Sequence, residues 1–532
     1  MEQRLLNKKD LVYFFLKKGF LLSSDVLDNL QKEEDFDKIH SQILDHNLKE
    51  ISVLSTDTKK ILDTAKKIDV NWEELDKLKV LFEKGKNKEN YLNFVNYFLS
   101  KTLEDNKKPQ DEYNVKIISS YEVESKKREA KDFTYCFYNR YMTLAKILQN
   151  RQELKNITSI NRILGKKDRE SISIIGLVSD KHTTKNNNIM LTLEDKTGLI
   201  KVLVNKNKPT LHRLAKDIVL DDVVAVVGVN GENIIFANNI VLPDIPNTNE
   251  VKKTQDEVYA LFLSDMHVGS IDFLEDDFNK FLKWINCEIG NEEQRKIASK
   301  VKYIFLIGDL VDGCGIYPGQ DKELLIKDVR EQYEACARLL KKIPENIHLI
   351  ICPGNHDAIR VAEPQPPMYR DFAESIYNLQ NAIMVSNPSM VNIHSSENFS
   401  GFDVLLYHGY SFDYYVAQVD SLRNSGGYDR ADLIMKFLLQ RRHLAPTHTS
   451  TLYIPDPNKD PLVIEQVPDF FVSGHIHKSI TSNYRNVTMI CSSCWQSKTA
   501  FQEKVGHNPE PSRVPIVNLQ TREVKILKFG EN

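Results

Sequence analysis

Residues 301–313, VKYIFLIGDLVDG, carry the pattern that decides the fold of this chain. The stretch begins as a run rich in Val, Ile, Phe and Leu, which predicts a β-strand. It ends in two carboxylates, Asp309 and Asp312, at the point where that strand meets its loop. Ligands of open α/β sheets bind beyond the carboxyl ends of the strands, so both carboxylates are candidate site residues.

Four further runs repeat this design with His, Asn or Asp at their ends. They are VYALFLSDMHVG with Asp265 and His267, IHLIICPGNHDA with Asn355, His356 and Asp357, FDVLLYHGYS with His408, and PDFFVSGHIH with His475 and His477. One Asp after a strand is commonly a cap or turn residue, and one His is commonly incidental. Five such coincidences make that explanation improbable, so we predict that the five strand ends meet in one pocket.

The residue types at these ends indicate a metal site. Imidazoles, carboxylates and one amide oxygen, without thiolate, suit Mn²⁺, Fe or Zn²⁺ better than Ca²⁺. The ligands are too many for one tetrahedral ion, whereas two ions roughly 3.5–4 Å apart and bridged by a carboxylate would account for them. Such a pair activates water and stabilises the charge that develops on a phosphate ester. The predicted chemistry is therefore hydrolysis of a phosphate ester.

Length and composition limit the class of protein. The 532 residues allow about three domains, and a net charge of −3 excludes a globally basic coat for nucleic acid while permitting a local basic groove. The seven cysteines are scattered, which is typical of a reduced intracellular protein, and we interpret Cys491 and Cys494 as ordinary thiols rather than a zinc site. No signal peptide and no run of roughly 18 apolar residues is present, so we expect a cytoplasmic location and no membrane partner.

Changes in sequence period divide the chain into four regions. Residues 1–60 predict a small helical module, and residues 61–150 continue as a helical region with a charged linker at about 101–132 and an amphipathic helix after it. Residues 160–250 contain about five short β-rich runs, typical of a closed barrel of the oligonucleotide-binding (OB) type or of a similar barrel without ligand. Residues 255–532 predict one α/β domain with a long functional loop at 441–469. A chain cut near residue 150 is expected to keep its activity, because every predicted ligand lies beyond it.

The motifs D-x-H, G-D-x-x-D, G-N-H-D, H-G and G-H-x-H, in this order across residues 265–477, resemble those of the calcineurin-like metallophosphoesterase superfamily. The resemblance implies an α/β sandwich domain with two metal ions, of which Mn²⁺ is favoured. By this resemblance the first ion is held by Asp265, His267, Asp309 and His477, and the second by Asp309, Asn355, His408 and His475. His356 would stand beside the scissile phosphate as general acid or transition-state stabiliser. Asp312 and Asp357 would orient the neighbouring ligands.

The arrangement of domains narrows the resemblance. An OB-like barrel directly before the phosphoesterase domain, together with SGGYDRADLIMKFLLQRRHLAPTH at 425–448 and EPQPP at 363–367, resembles the small subunits of archaeal family-D DNA polymerases. This implies a 3′–5′ proofreading exonuclease that binds a large catalytic polymerase subunit and acts on the 3′ end of a DNA primer. Three alternatives remain: a non-catalytic scaffold subunit, a free-standing DNA repair nuclease of the same superfamily, and a phosphoesterase for small molecules.

Two weaker features concern partners. Arg441, Arg442 and Lys478 are candidate contacts to DNA phosphates near the site, although isolated basic residues are as often simply solvated. KKDLVYFF at 8–15 has apolar residues at the spacing of a sliding-clamp-binding peptide, but Lys8 stands at the customary Gln position. An amphipathic core helix is the simpler interpretation, so the sliding clamp is the weaker candidate partner.

Overall fold

The computed structural model describes residues 20–22, 52–54, 114–122, 126–166, 169–499, 502–503 and 507–530. The chain divides into two compact units, Met1–Glu112 and Tyr113–Asn532. In the first unit the described residues form two short strands, β1 (Phe20–Leu22) and β2 (Ser52–Leu54), which pair in parallel. Residues 1–60 are predicted from sequence to be helical, and these two strands are not predicted. Its other residues and the clamp-like segment 8–15 lie outside the described residues.

Two elements that precede the barrel belong to the second unit. Strand β3 (Asn114–Ser119) pairs antiparallel with the strand at Ser389–Ser395, and helix α1 (Ala130–Gln149) follows it. Arg140 of α1 forms a buried ion pair of 2.6 Å with Asp460. The linker predicted at 101–132 is therefore wrong at 114–119. Strand β3 is an edge strand of its sheet, and its one charged residue, Lys116, is exposed.

The amphipathic helix predicted after the linker is confirmed as α1. The segment 113–149 thus contributes a strand and a helix to the second unit, and a cut near residue 150 would remove both. The expectation that a chain cut near residue 150 keeps its activity stays a prediction. A cut at Glu112 falls between the two units.

Residues 171–241 form a closed five-stranded barrel with the strand order β4-β5-β6-β8-β7, as the β-rich runs predict. Its elements, with the short helix that precedes it, are α2 (Ile160–Ile163), β4 (Ser171–Thr183), β5 (Ile189–Asp195), β6 (Gly198–Val204), α3 (Pro209–Asp217), β7 (Val223–Gly231) and β8 (Ile234–Val241). Alternate residues such as Leu191, Val202 and Val226 are fully buried inside it. The OB type of this barrel stays a prediction.

The remaining residues form two six-stranded sheets with helices on their outer faces. The strands are β9 (Tyr259–Leu263), β10 (Val301–Ile307), β11 (His348–Cys352), β12 (Ala382–Met384), β13 (Ser389–Ser395), β14 (Phe402–Leu406), β15 (Phe470–Ser473), β16 (Ile480–Tyr484), β17 (Val487–Cys491), β18 (Arg513–Asn518) and β19 (Val524–Lys528). The helices are α4 (Glu275–Ile285), α5 (Glu292–Ala298), α6 (Val329–Leu340), α7 (Arg370–Tyr377), α8 (Phe412–Gln418), α9 (Asp420–Asn424) and α10 (Ala431–Arg441). Short 3₁₀ helices occur at Gln320–Lys322, Gly427–Arg430 and His448–Ser450.

The two sheets pack face to face around a shared apolar core. The first has the order β12-β11-β10-β9-β18-β19 and the second the order β16-β17-β15-β14-β13-β3. Phe262 of the first sheet and Phe470 of the second are fully buried, with ring centroids 6.2 Å apart. Separate apolar clusters lie under the helices on each outer face. The result is a mixed α/β sandwich.

Parallel pairing determines at which edge of each sheet the carboxyl ends of the strands lie. Strands β9, β10 and β11 run parallel in the first sheet, and β14, β15 and β17 run parallel in the second. The carboxyl ends of parallel neighbours lie at the same edge of a sheet, so the loops after these strands can share one site. No helix of the described residues has the length and apolar character that crossing a membrane requires.

Candidate metal centre

The loops that follow β9, β10, β11, β14 and β15 come together at one end of the sandwich. Three groups of potential metal ligands lie there, each with its donor atoms within 4.8 Å of one another: Asp265, His267 and His477; Asp265, Asp309 and His408; and His267, Asp312 and His356. The structure therefore brings the ends of all five predicted strands into one pocket.

Backbone strain is concentrated at these loops. Asp265, His267, Asp309, His475 and His477 have φ angles of 51°, 51°, 50°, 72° and 55°. Residues other than Gly adopt positive φ rarely, and such conformations cost of order 1–3 kcal/mol each and cluster at functional sites. Five of the seven predicted metal ligands share this conformation. The sequence carries no sign of it.

Glycine is required where the loops approach the carboxylates. A Cβ atom at Gly354 would lie 2.2 Å from Asp309 Oδ1, and one at Gly474 would lie 2.5 Å from Asp265 Oδ2. Real Cβ atoms do not come this close to an oxygen, so any other residue would displace the carboxylate or the loop. Gly354 and Gly474 therefore set the position of two predicted ligands.

The first group has the donor set of a cation site. His267 Nε2 lies 3.2 Å from His477 Nε2, and His477 Nε2 lies 3.3 Å from Asp265 Oδ1. Asp265 Oδ1 is buried and accepts no hydrogen bond from the described residues, although a buried acceptor normally has a partner. A cation between the two imidazoles and this oxygen would satisfy all three atoms. These residues fit a divalent metal ion.

The second group surrounds His408. Its Nε2 lies 3.2 Å from Asp309 Oδ2 and 3.1 Å from Asn355 Oδ1. The other ring nitrogen, Nδ1, lies 2.7 Å from the carbonyl oxygen of Ile307, to which it can donate. That bond would leave Nε2 with a lone pair for a metal. Asp309 Oδ2 also lies 4.0 Å from His267 Nε2, so this carboxylate stands between the two groups.

His475 is the one predicted histidine ligand outside the three groups. Its Nε2 lies 3.0 Å from Asp413 Oδ2, and its backbone N–H donates to Asp265 Oδ2. The contact with Asp413 engages Nε2 and makes Nδ1 the atom of this ring that could bind a metal. The ring centroids of His475 and His408 are 5.3 Å apart, which keeps His475 beside the second group.

The charges of the centre depend on each other. Burial alone would raise the pKa of Asp309, but the nearby imidazoles of His408 and His356 hold it well below its usual range. Burial alone would lower the pKa of His408, but the Asp309 carboxylate outweighs it and raises the pKa to about 10. Burial lowers the pKa of His267. An imidazole must lose its proton before it binds a metal, so His408 couples cation binding to proton release.

This coupling predicts that the apparent affinity for Mn²⁺ increases with pH through the neutral range. The increase should be at most about tenfold per pH unit, because one proton leaves His408 as the cation binds. Isothermal titration calorimetry at several pH values, in buffers of different ionisation enthalpy, measures both the affinity and the protons released. An affinity that does not change with pH would contradict the coupling.

Asp312 and Asp357 are not members of the first two ligand groups. Each forms hydrogen bonds that position a residue or loop carrying a predicted ligand. Asp312 Oδ1 lies 3.0 Å from His267 Nδ1, and Gln320 and Gln496 donate to the same carboxylate. Asp357 accepts from the backbone N–H of Gly354 and from Tyr333, in the loop that carries Asn355 and His356. Burial, with the nearby Asp309 charge, raises the pKa of Asp357 to about 7.

Replacing Asp312 with Ala should lower the affinity for Mn²⁺ by about 10- to 100-fold, the usual cost of losing a carboxylate that orients a metal-binding imidazole. Without Asp312 the ring of His267 can turn, and Nδ1 no longer fixes Nε2 toward the cation. Calorimetric titration measures the change, with Asp321→Ala, an exposed carboxylate in the same segment, as the control. Equal affinities in the two variants would show that Asp312 does not orient His267.

His356 lies beside both groups. Its backbone N–H donates to Asp309 Oδ1 at 2.7 Å, and its Nδ1 lies 2.9 Å from the carbonyl oxygen of Asp312. Its ring packs edge-on against that of His267, with centroids 4.7 Å apart. The half-buried imidazole thus has Nε2 as the nitrogen available to a ligand.

Two of the three basic residues predicted to contact DNA, Arg441 and Arg442, are buried and bonded within the protein. Arg441 is buried, pairs with Asp222 at 3.2 Å and donates to the carbonyl oxygen of Asp217, so it joins α10 to the barrel. Arg442 is buried and donates to the carbonyl oxygens of Ile464 and Glu465. The prediction that Arg441 and Arg442 contact DNA phosphates is therefore wrong. Lys478 forms an ion pair of 2.6 Å with the exposed Asp429.

Sequence reasoning also missed several supporting residues. Asp413 contacts His475, Gln502 contacts His477 Nδ1 at 2.9 Å, and Ser264 donates to Asp265. These residue types are common on surfaces and give no local signal. Cys491 and Cys494 are buried free thiols, and none of the ligand groups among the described residues contains a cysteine.

A family model and a solved structure resemble parts of this chain. Residues 260–482 match the family model for the B subunits of DNA polymerases alpha and epsilon. An archaeal phosphodiesterase structure covers 51% of this chain and 99% of its own, with 12% identity and a TM-score of 0.25, which is too low to indicate a shared fold.

Curated relatives are more similar. A DNA polymerase II small subunit of Methanothermobacter thermautotrophicus is 42% identical over 402 residues, or 76% of this chain and 80% of the relative. Those of Pyrococcus abyssi and Pyrococcus furiosus are 42% and 41% identical over 74% of this chain, and the match spans 62% and 63% of their lengths. From this similarity, the chain belongs to the family of DNA polymerase II small subunits.

Proposed function

We propose that this chain is the exonuclease subunit of a DNA polymerase, which removes nucleotides from the 3′ end of a primer by hydrolysing phosphodiester bonds with two divalent metal ions. The observation that carries the proposal is the donor set around Asp265, Asp309, His408 and His477, in which the buried Asp265 Oδ1 faces His477 Nε2 at 3.3 Å and accepts no hydrogen bond from the described residues. We assign Mn²⁺ to the site, with Fe or Zn²⁺ as alternatives, because imidazoles and carboxylates without thiolate favour these metals.

The ligands divide between two ions. Asp265, His267 and His477 would hold one, and Asn355, His408 and His475 would hold the other. Asp309 would serve both, because its Oδ2 lies 3.2 Å from His408 Nε2 and 4.0 Å from His267 Nε2. When bound, the metal ions supply a nucleophilic water at neutral pH and neutralise charge on the phosphate oxygens.

The chain itself supplies orientation and proton transfer. Asp312 fixes His267 through Nδ1, and Asp357 fixes the loop of Asn355 and His356. In our proposal His356 Nε2 donates a hydrogen bond or a proton to the oxygen on which charge develops, while Nδ1 stays bonded to the carbonyl oxygen of Asp312. Arg441 and Arg442 play no part in binding DNA in this proposal.

The domains have matching roles. We propose that residues 255–532, completed by the segment 113–149, are a metallophosphoesterase-type domain, and that the barrel at 160–250 is of the OB type. The relatives are named small subunits, which implies a larger polymerase partner, and we assign such a partner to this chain.

The decisive experiment is digestion of a primer with a 3′ mismatch by the purified full-length chain, with and without Mn²⁺ and candidate large subunits. Loss of label from the 3′ end but not from the 5′ end would establish the polarity. Absence of digestion under every metal and partner condition, with the complex intact by size-exclusion chromatography, would instead favour a scaffold subunit. Digestion without any complex formation would favour a free-standing nuclease.

A further inference from the structure

A cavity of about 640 Å³ lies against the metal centre on the side of His475. Six of its lining residues decide its character: Phe133, Tyr410, Asp413, Tyr414, His448 and Tyr453. Five of these carry aromatic rings, and hydroxyl groups of Ser and Thr complete the wall between His448 and Leu452. Its volume falls within the range of roughly 300–1,000 Å³ that is usual for small-molecule sites.

The cavity shares a wall with the metal centre. Asp413, which lines it, lies with Oδ2 3.0 Å from His475 Nε2. Tyr410 also lines it, two residues after the predicted ligand His408, and its ring centroid lies 5.8 Å from that of His475. A nucleotide with its phosphate at the metal centre therefore has this cavity as its immediate neighbour.

Helix α1 supplies part of the wall through Phe133, although it precedes the barrel in the chain. The ring centroid of His448 lies 5.2 Å from that of Phe133 and 6.1 Å from that of Tyr453, both in edge-on contacts. The buried pair of Arg140 with Asp460 fixes α1 in this position. The aromatic wall is thus built from two distant parts of the sequence and held by a buried ion pair.

The chemistry of the wall selects its ligand. Among the described residues, the lining contains no Lys or Arg and one carboxylate, so it would repel a phosphate group. Aromatic rings stack on nucleobases of any sequence, and the exposed Thr449 hydroxyl and Asp413 can form hydrogen bonds with a base edge. A flat, uncharged heteroaromatic ring suits the cavity best.

We propose that this cavity binds a nucleobase of the DNA strand whose phosphate lies at the metal centre. The inference rests on the proposed function and adds a reason why the nuclease would select unpaired ends. A base can enter only when it is unpaired and unstacked, since both of its faces must be free for protein side chains. The cavity would therefore favour frayed or mismatched ends over paired ends.

The test uses the full-length chain and single-stranded oligonucleotides that carry an abasic site at the last, the second-last or the third-last position of the 3′ end. With the unmodified chain, one of these positions should lower the efficiency of cleavage by roughly tenfold, the usual scale for one base stacked on aromatic side chains. In the variants Phe133→Leu and His448→Ala, the ratio of rates for base-bearing and abasic substrates should fall toward one. Tyr135→Leu, an exposed aromatic residue of α1 outside the cavity, is the matched control and should keep the ratio of the unmodified chain.

Two results would overturn the inference. One is an unmodified chain that cleaves all abasic and base-bearing ends equally well. The other is a loss of rate in Phe133→Leu and His448→Ala that leaves the ratio unchanged, because that result would mean that the two residues only support the fold.

The failure of the proposed function is recognised separately. Hydrolysis of bis(p-nitrophenyl) phosphate, which carries no base, reports the metal centre alone. Fluorescence anisotropy of the same oligonucleotides in Ca²⁺ measures the base dependence of binding without turnover. If the chain hydrolyses neither the oligonucleotides nor bis(p-nitrophenyl) phosphate, the proposed function fails. If it still binds base-bearing ends more tightly than abasic ends, and the Phe133→Leu and His448→Ala variants lose this difference, the cavity is a base site. Base-independent binding would reject it.

Discussion

The Asp309→Ala variant is expected to lose hydrolysis of the mismatched primer by roughly 10³-fold or more, because bound metal ions supply several kcal/mol of charge stabilisation in the transition state. The carboxylate of Asp309 stands between the two ligand groups: its Oδ2 is 3.2 Å from His408 Nε2 and 4.0 Å from His267 Nε2. Removing it also leaves the backbone N–H of His356 without its acceptor. The measurements are the rate of primer digestion and the metal content of the purified protein.

Asp420→Ala is the control, because the Asp420 side chain is 76% exposed, pairs with Arg423 and belongs to none of the ligand groups. The Asp309→Ala variant should still associate with a large subunit, since its carboxylate lies inside the pocket and not on the surface. Activity near that of the unmodified chain at the same metal concentration would disprove the shared role of Asp309.

The second large effect is expected for His356→Ala, which should lower turnover by roughly 10²–10⁴-fold while both metal ions remain bound. The backbone N–H of residue 356 still donates to Asp309 in this variant, so the carboxylate keeps its position. Only the imidazole is lost. Steady-state kinetics on the primer and metal analysis of the same sample measure the two properties together.

Turnover and metal content together distinguish a role of His356 in proton transfer from a role as a metal ligand. Its ring also stands near His267 and Asp312, so a third cation position is the competing interpretation. A fall in metal content that matches the fall in turnover would support that interpretation and reject the role in proton transfer. His182→Ala, at an exposed histidine of the barrel, controls for the general loss of an imidazole.

The convergence of the strand ends could be predicted from sequence because the signal is local. Each apolar run shows where a strand stops, and the residue types after it show what the loop carries. Parallel pairing of β9 with β10 then brings Asp265 and Asp309 together. His408 follows β14 of the other sheet and reaches them because the two sheets pack face to face. The roles of the individual ligands remain predictions, although their positions follow the expected order.

Other features were hidden because they depend on residues far apart in the chain. Arg441 resembles an exposed cation until Asp222 is known to lie beside it, and the two are separated by more than two hundred positions. Strand β3 was missed because its short run, NVKIIS, lies within a charged stretch and pairs with a strand more than 250 residues further along the chain. The positive φ angles at His475 and His477 follow from the tight loops that hold them, not from a preference of histidine.

The place of β3 and α1 also bears on the order in which the chain folds. Arg140 and Asp460 are 320 residues apart in the sequence, and β3 can pair only after the strand that begins at Ser389 has been synthesised. The barrel, in contrast, finds all of its strand partners between Ser171 and Val241. Local contacts form faster than distant ones, so the barrel can close during synthesis and offer α1 a packing surface, while β3 still lacks its partner strand. The part of the second unit that follows the barrel is then the last to assemble, and until Asp460 leaves the ribosome Arg140 has no ion-pair partner.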